Sequence, residues 1–352
     1  MPNTSETRTY DALLSTTLEN WAKGIEDEIT TSMFFYNMLK RSGSWVSVKD
    51  LGERCKFSLR YANGQADAYS DYDPIDTTPT QGITAAFFDW VQIASSITMA
   101  RIERRKNSGE YQQIDLLEEK TNQSLDGLKE LFAKGFLQGN GVNSATAITT
   151  AYTSPINGSP FLVPLPALVA QDPTASLTIG SVQQSTNLWW RNQKRAATDT
   201  NFASFMKDLS GLRNDCTKGV GGAPDMHLVD QGTSEFYEAC LRSLHHNMDY
   251  KRADIPFDNV LFHGAPVVWD EFMANWSGVT TAQSTTQGTW VMLNSKFIQI
   301  KYDAATNFMV GPFITPENQD ASTAKILWYG AAGVTNRRKL GVLSDINTTL
   351  TS

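Results

Sequence analysis

The 352-residue chain is poor in the residues from which reactive chemistry is usually built. Its three cysteines, Cys55, Cys216 and Cys240, are far apart and odd in number. They imply neither a disulfide framework nor a thiolate metal site, and thiols in a reducing compartment fit best. There are four histidines, His227, His245, His246 and His263, of which only His245 and His246 are adjacent. Neighbours on a helix point apart, so a zinc site with three or four converging ligands is not expected. The glycine-rich stretches Gly219–Pro224 and Gly135–Gly141 lack a following Gly-Lys-Ser/Thr and read as turns and helix stops, not phosphate cradles. No Gly-x-Ser-x-Gly elbow occurs. The expectation is therefore no catalytic residue, no cofactor and no metal.

Long apolar runs are missing too. The longest, Ile83–Met99, is broken by Asp89 and Gln92, short of the roughly 20 residues that cross a bilayer. Met1–Asp11 has no basic-then-apolar layout of a signal peptide. Basic charge is scarce: 30 Lys and Arg stand against 37 Asp and Glu, a net charge of −7. A dedicated nucleic-acid binder would show a basic stripe. The two basic clusters, Arg101–Lys106 and Arg337-Arg338-Lys339, are short and read as solvated faces or loop ends.

What is present is enough apolar residue, 41%, for a sizeable core, and an alternation of patterns that reads as α+β. Ser5–Lys40 carries Tyr10, Leu13, Leu14, Leu18, Trp21 and Ile25 at helical spacing, an amphipathic arm with no partner in its own sequence. Trp45–Tyr61 and Ile83–Met99 read as strands flanking a turn-rich segment, Asn63–Gly82. The simplest shape is a long hairpin with an elaborate tip, and a hairpin alone is marginal in water. Residues 46–105 are therefore expected to bury mainly surface of another copy. In the tip, Asp67, Asp71, Asp73 and Asp76 can make turns or meet a partner's cations, and Pro74 stiffens them against a calcium-loop geometry.

Glu110–Leu137 is the clearest helix, with Ile114, Leu117, Leu125, Leu128, Phe132 and Phe136 on one face. In Asn140–Leu188 only Asp172 is charged, yet aliphatics persist, so an ordered irregular connector is expected. Trp189-Trp190-Arg191 reads either as an interface anchor or as core. Beyond it helices at Thr200–Arg213 and Thr233–Met248 alternate with strands at Met226–Val229, Val260–Phe262, Pro266–Trp269, Phe308–Ile314, Lys325–Tyr329 and Leu340–Leu343. Trp290–Leu293 and Phe297–Tyr302 are expected to pair around Asn294-Ser295.

The collinear order of several motifs resembles the major capsid proteins of tailed bacteriophages. They are Tyr69–Asp76 followed by Thr84–Trp90, Asn107–Asp115 leading into the long helix, Leu165–Val169, Asp172-Pro-Thr, Thr186–Asn192, Pro224–Asp230, Phe262–Val268 and Asn336–Leu343. The resemblance implies an N-terminal arm (1–45), an extended β-hairpin loop (46–105), a spine helix and connector of a peripheral domain (106–189), an axial domain (190–288, mostly) and return strands of both (289–352). It implies a virion shell subunit, made in the host cytoplasm and not an enzyme, that forms pentamers and hexamers with itself. Portal, scaffolding and decoration proteins are further candidate partners, contact with packaged double-stranded DNA is loose, and no membrane is involved. An arm this short implies a separate scaffolding protein or none. An encapsulin-like nanocompartment is the alternative container. Candidate contacts between copies are Trp21, Asp71, Tyr72, Asp73, Pro74, Asp76, Trp189, Trp190 and Arg191.

Overall fold

In the computed structural model, residues 42–49, 51–73, 77–106, 116–137, 161–197, 202–243, 260–270, 273, 287–317 and 319–348 are described. The arm up to residue 41, and with it Trp21, lies outside the described residues, as do Pro74 and Asp76.

A five-stranded sheet contains β1 (Trp45–Val48), β4 (Val91–Ala100), β12 (Ile298–Asp303), β13 (Met309–Val310) and β14 (Ala321–Val334). The long β14 pairs antiparallel with β4 from Ala321↔Ala100 to Gly330↔Val91, and with β12 from Ile298↔Val334 to Tyr302↔Gly330. β1 joins β12 in parallel. The helix expected at Glu110–Leu137 is seen from Leu116 to Leu137 (α2), after a short α1 (Arg101–Lys106); residues 107–115 are not among those described. Helical spacing brings Leu125, Leu128, Phe132 and Phe136 of α2 into the core. There Phe132 meets Trp328 of β14 edge-on at 5.1 Å, and Trp45 of β1 lies 6.1 Å from the same indole. Lys120 Nζ and Ser124 Oγ of α2 donate to the carbonyls of Thr98 and Ser96 at 3.2 and 3.3 Å. A helix laid along β4 in this way covers a strand edge that would otherwise recruit further strands.

The second sheet has six strands in the order β7 (Gln193–Ala196), β15 (Gly341–Asn347), β11 (Gln287–Leu293), β8 (Met226–Val229), β10 (Ala265–Trp269), β9 (Val260–Phe262). Its centre is buried on both faces: all four residues of β8 are inside, as are Trp290–Leu293 of β11. Side chains on β11 alternate, as strand geometry requires. Trp290 and Met292 enter a cluster with Phe205, Leu209 and Leu212 of α4 (Phe202–Thr217) and Phe236, Tyr237 and Cys240 of α5 (Gln231–Ser243). Val291 and Leu293 point into the larger core shared with the first sheet and α3 (Leu165–Leu168). The Asp230 carboxylate caps α5, accepting from the Thr233 amide at 3.1 Å, and also takes the Thr289 amide of β11 at 2.8 Å. The low-charge connector is described from Phe161 onward; Phe161–Ala170 are buried throughout, and β5 (Thr178–Ile179) pairs with β6 (Val182–Gln183).

Two expectations need correction. First, β11 and β12 are not a hairpin but belong to different sheets. Asn294 accepts from the Lys296 amide and opens a 3-10 turn, Ser295–Phe297, that carries the chain across. The Asp225 carboxylate holds the Ser295 amide at 2.9 Å and also its hydroxyl. The return crossing, Thr335–Leu340, lies against this turn through Thr335 N–H to the Phe297 carbonyl at 2.9 Å. Second, the long hairpin is shorter than its strands suggested. Only β2 (Cys55–Arg60) and β3 (Ile83–Phe88) pair with each other, from Cys55↔Phe88 to Arg60↔Ile83. Both chains break at one level, where Trp90 Nε1 donates to the Gly52 carbonyl at 3.1 Å and Arg54 meets Asp89 at 3.2 Å. Beyond the break β1 and β4 join the five-stranded sheet. The hairpin base is also packed in its own chain: Cys55, Phe57, Leu59, Ala86 and Phe88 are buried. Phe57 and Phe88 rest on β14 at Gly333, where a Cβ would come within 2.6 Å of the Phe57 ring. The idea that 46–105 as a whole buries mainly another copy's surface therefore does not hold for the base.

Candidate assembly surface

The loop beyond the hairpin stands outside the core. Its neck closes where the Tyr61 amide donates to the Gly82 carbonyl at 2.9 Å. Past that point every described residue from Asn63 to Asp73 and from 77 to 81 is exposed. The tip makes its own turn. The Asp73 amide donates to the Ser70 carbonyl at 2.9 Å, and the Asp73 carboxylate takes the Ser70 amide at 3.1 Å. Gln65 donates to Asp67 at 3.0 Å. Asp71 stands outside these bonds, and Tyr72 is 99% exposed, with Tyr69 at 67%. Two bare tyrosines on a polar loop are costly to leave in water, so the tip has the composition of a contact surface.

The tryptophan pair separates into two roles. Both lie in a 3-10 turn, Leu188–Trp190. Trp190 is in the core, its indole N–H donating to the Ile179 carbonyl at 3.0 Å, and cannot anchor another copy. Trp189 is half-buried and stacks on Tyr61 at the neck of the loop, 5.0 Å between centroids and 24° between planes. Arg191 is spent on its own chain, donating to the carbonyls of Gln184 at 2.9 Å and Ser185 at 2.6 Å.

The C-terminal basic cluster is not a solvated face. Arg337 is fully buried. Its guanidinium donates to the carbonyls of Ala167, Leu168 and Trp190 and to the side-chain oxygens of Gln184 and Asn192, at 2.8–3.2 Å. Lys339, 2% exposed, donates to the carbonyls of Thr217, Lys218 and Gly219 at the end of α4. A cation there meets the negative end of the helix dipole and satisfies carbonyls that the helix leaves open. Burial holds this ammonium below the ordinary lysine range. Only Arg338 of the three is exposed. A sequence signal for this exists in Asn336, a capping residue that accepts from the Arg338 amide at 3.1 Å and so turns alternate side chains inward. Burial also pushes the thiols of Cys216 and Cys240 up to about 12, so neither is a nucleophile at neutral pH. Among the described residues no group of three or more His, Cys, Asp or Glu is placed to hold a metal ion. No described helix is long and apolar enough to cross a membrane.

No protein-family model matches the chain, and no curated protein matches its sequence. Solved structures do match. The capsid asymmetric unit of cyanophage A-1(L) superposes with a TM-score of 0.61 at 15% identity, over 88% of this chain and 92% of that one. The fold is that of phage capsid subunits. The capsid of a native GTA particle (TM-score 0.54, 11% identity, 87% of this chain and 89% of that one) has the same fold. So does the capsid of Myoviridae phage XM1 (0.51, 13%, 87% and 91%). At these identities the capsid fold is preserved by the placement of helices and sheets and not by shared side chains. The described loop residues from 63 to 81, all of them exposed, thus belong to a chain with the capsid fold.

Proposed function

We propose that the chain is a major capsid protein of a tailed phage, self-assembling through pentamers and hexamers into an icosahedral head around double-stranded DNA. The observation that carries this reading is the capsid fold over nearly nine-tenths of the chain. In it the five-stranded sheet with α2 forms the peripheral domain and its spine, and the six-stranded sheet with α4 and α5 forms most of the axial domain. Assembly, not catalysis, is its work. The loop tip, with Asp71, Tyr72 and Asp73, meets a neighbouring copy, and the arm with Trp21 does likewise. A closed shell built from one sequence needs repeated head-to-tail contacts, and many modest ones act together. Portal, scaffolding and decoration proteins complete such a head.

Electron microscopy of the expressed chain is expected to show closed particles. Among the described residues of 63–82 all but the half-buried Gly82 are exposed, so the deletion variant should keep its circular dichroism and melting temperature while forming no closed shells. Normal particles from the deletion would sink the role given to the tip, and a wild-type chain that stays monomeric at high concentration would sink the shell reading itself.

A net charge of −7 supports loose contact with the packaged DNA. Subunits should bind duplex DNA weakly and lose that binding as salt rises; tight, salt-insensitive binding would contradict this.

A further inference from the structure

A surface cleft of about 450 Å³ opens at the foot of the loop. Its walls carry Arg60 and Tyr61 at the end of β2, Trp189, Lys218 and Val220 just beyond α4, and Arg338. Four cations line it, counting Lys339, and no carboxylate does. Lys218 is held from one side by Asp215 at 2.7 Å and the Lys339 amine is turned toward the end of α4. Among the described residues Arg60 and Arg338 have no ion-pair partner, and both are exposed. The stacked Tyr61 and Trp189 rings give the cleft a flat aromatic wall, and Val220 at its rim is 95% exposed. A carboxylate-free cleft of this kind on a chain of net charge −7 fits an acidic, aromatic segment.

The exposed loop tip carries such a segment. Between Arg60 and Arg101 there is no basic residue, and Asp67-Ala-Tyr-Ser-Asp-Tyr-Asp73 places three carboxylates around two tyrosines. Those tyrosines are 67% and 99% exposed, so the segment does not occupy the cleft of its own chain. We propose that the loop tip of one copy, Asp67–Asp73, seats in the cleft at the foot of the loop of a second copy. Its tyrosines lie on the Tyr61–Trp189 wall and its carboxylates face Arg60 and Arg338. The same loop is then donor at its tip and acceptor at its foot. Such a contact is head-to-tail and, repeated by one rotation, closes a ring. This deepens the shell reading and rests on it for its biological meaning.

The test uses the full-length chain and a fluorescent peptide of residues 63–80, followed by anisotropy. Binding is expected, and it should weaken at least about tenfold with Arg60→Glu/Arg338→Glu in the chain, or with Asp71→Lys/Asp73→Lys in the peptide. Pairing the two reversed partners should restore most of it. Both arginines are exposed, so the variant chain should melt like the parent, and the peptide substitutions need no folding at all. Failure of the parent peptide to bind, or indifference to both reversals, overturns the contact. Capture of duplex DNA by the same arginines without capture of the peptide also overturns it, in favour of a polyanion site. Peptide binding is read separately from particle formation. Particles without peptide capture remove the contact and leave the shell; peptide capture without particles removes the shell and leaves the contact.

Discussion

Arg337→Ala is expected to destabilise the subunit by about 3–5 kcal/mol, the range for stripping a charged donor from buried acceptors. The guanidinium reaches five acceptors that precede it by 145 to 170 residues, all in the connector between Ala167 and Asn192. Removing it strands three carbonyls and two side-chain oxygens inside the protein and unties that connector from the turn leading into β15. Trp190 reports the event locally, since its ring lies 5.8 Å from the guanidinium. Denaturant unfolding followed by tryptophan fluorescence should show an earlier transition. Arg337→Lys should recover only part of the loss, because an ammonium cannot fork to acceptors on several sides. A transition for Arg337→Ala within about 0.5 kcal/mol of the parent would show that the surroundings close over the gap.

The second large effect is acid sensitivity at His227. Its ring is fully buried against Trp290 and Phe262, and its Nδ1 accepts from the Trp290 indole at 3.2 Å. Burial, with smaller contributions from the charges of Arg213 and His263, lowers its pKa to about 3. Burial pushes the phenol of Tyr237, also against this cluster, well above the ordinary tyrosine range, so it is neutral throughout this pH range. In the unfolded chain the same histidine titrates near 6.5. Above that pH both states are neutral and the group has no effect on stability. Below it the unfolded chain takes up a proton that the folded chain refuses. Stability therefore falls by about 1.4 kcal/mol per pH unit, or roughly 2–3 kcal/mol by pH 4.5. His227→Gln keeps an acceptor for the indole but does not titrate. Its stability measured from pH 7.5 to 4.5 should decline less than the parent's by about that amount. Equal slopes would mean that acid enters the fold elsewhere.

Local pattern made much of this fold legible. The 3.6-residue period of α2, the alternation of β4 and the mostly apolar centre of the second sheet are written in adjacent residues. Partners were not. The alternation in Trp45–Val48 and Val91–Ala100 says that one face is buried. It does not say that the hydrogen-bonded neighbours of these strands are β12 and β14, more than 200 residues away, which is why the simplest reading joins both strands in one hairpin. The pairing expected around Asn294-Ser295 failed for the same reason: a short polar break marks a turn, but not whether the chain returns to the same sheet. Burial of charge was least legible. Arg337, Arg338 and Lys339 are three consecutive cations, and only the carbonyls that other segments bring to Arg337 and Lys339 separate those two from the exposed one between them. At the tip, the run of tyrosines among aspartates was readable in the sequence. The basic cleft was not, because its walls come from residues 60, 189, 218 and 338.

Two crossings between the sheets, Ser295–Phe297 and Thr335–Leu340, are short and bonded to each other. Such a joint resists folding about itself, so the body behaves as one stiff plate. When identical plates tile a curved surface, they cannot absorb unequal tilts internally. The adjustment from one site to the next then falls to the loop beyond the Tyr61–Gly82 neck, where every described residue from 63 to 81 stands clear of the body.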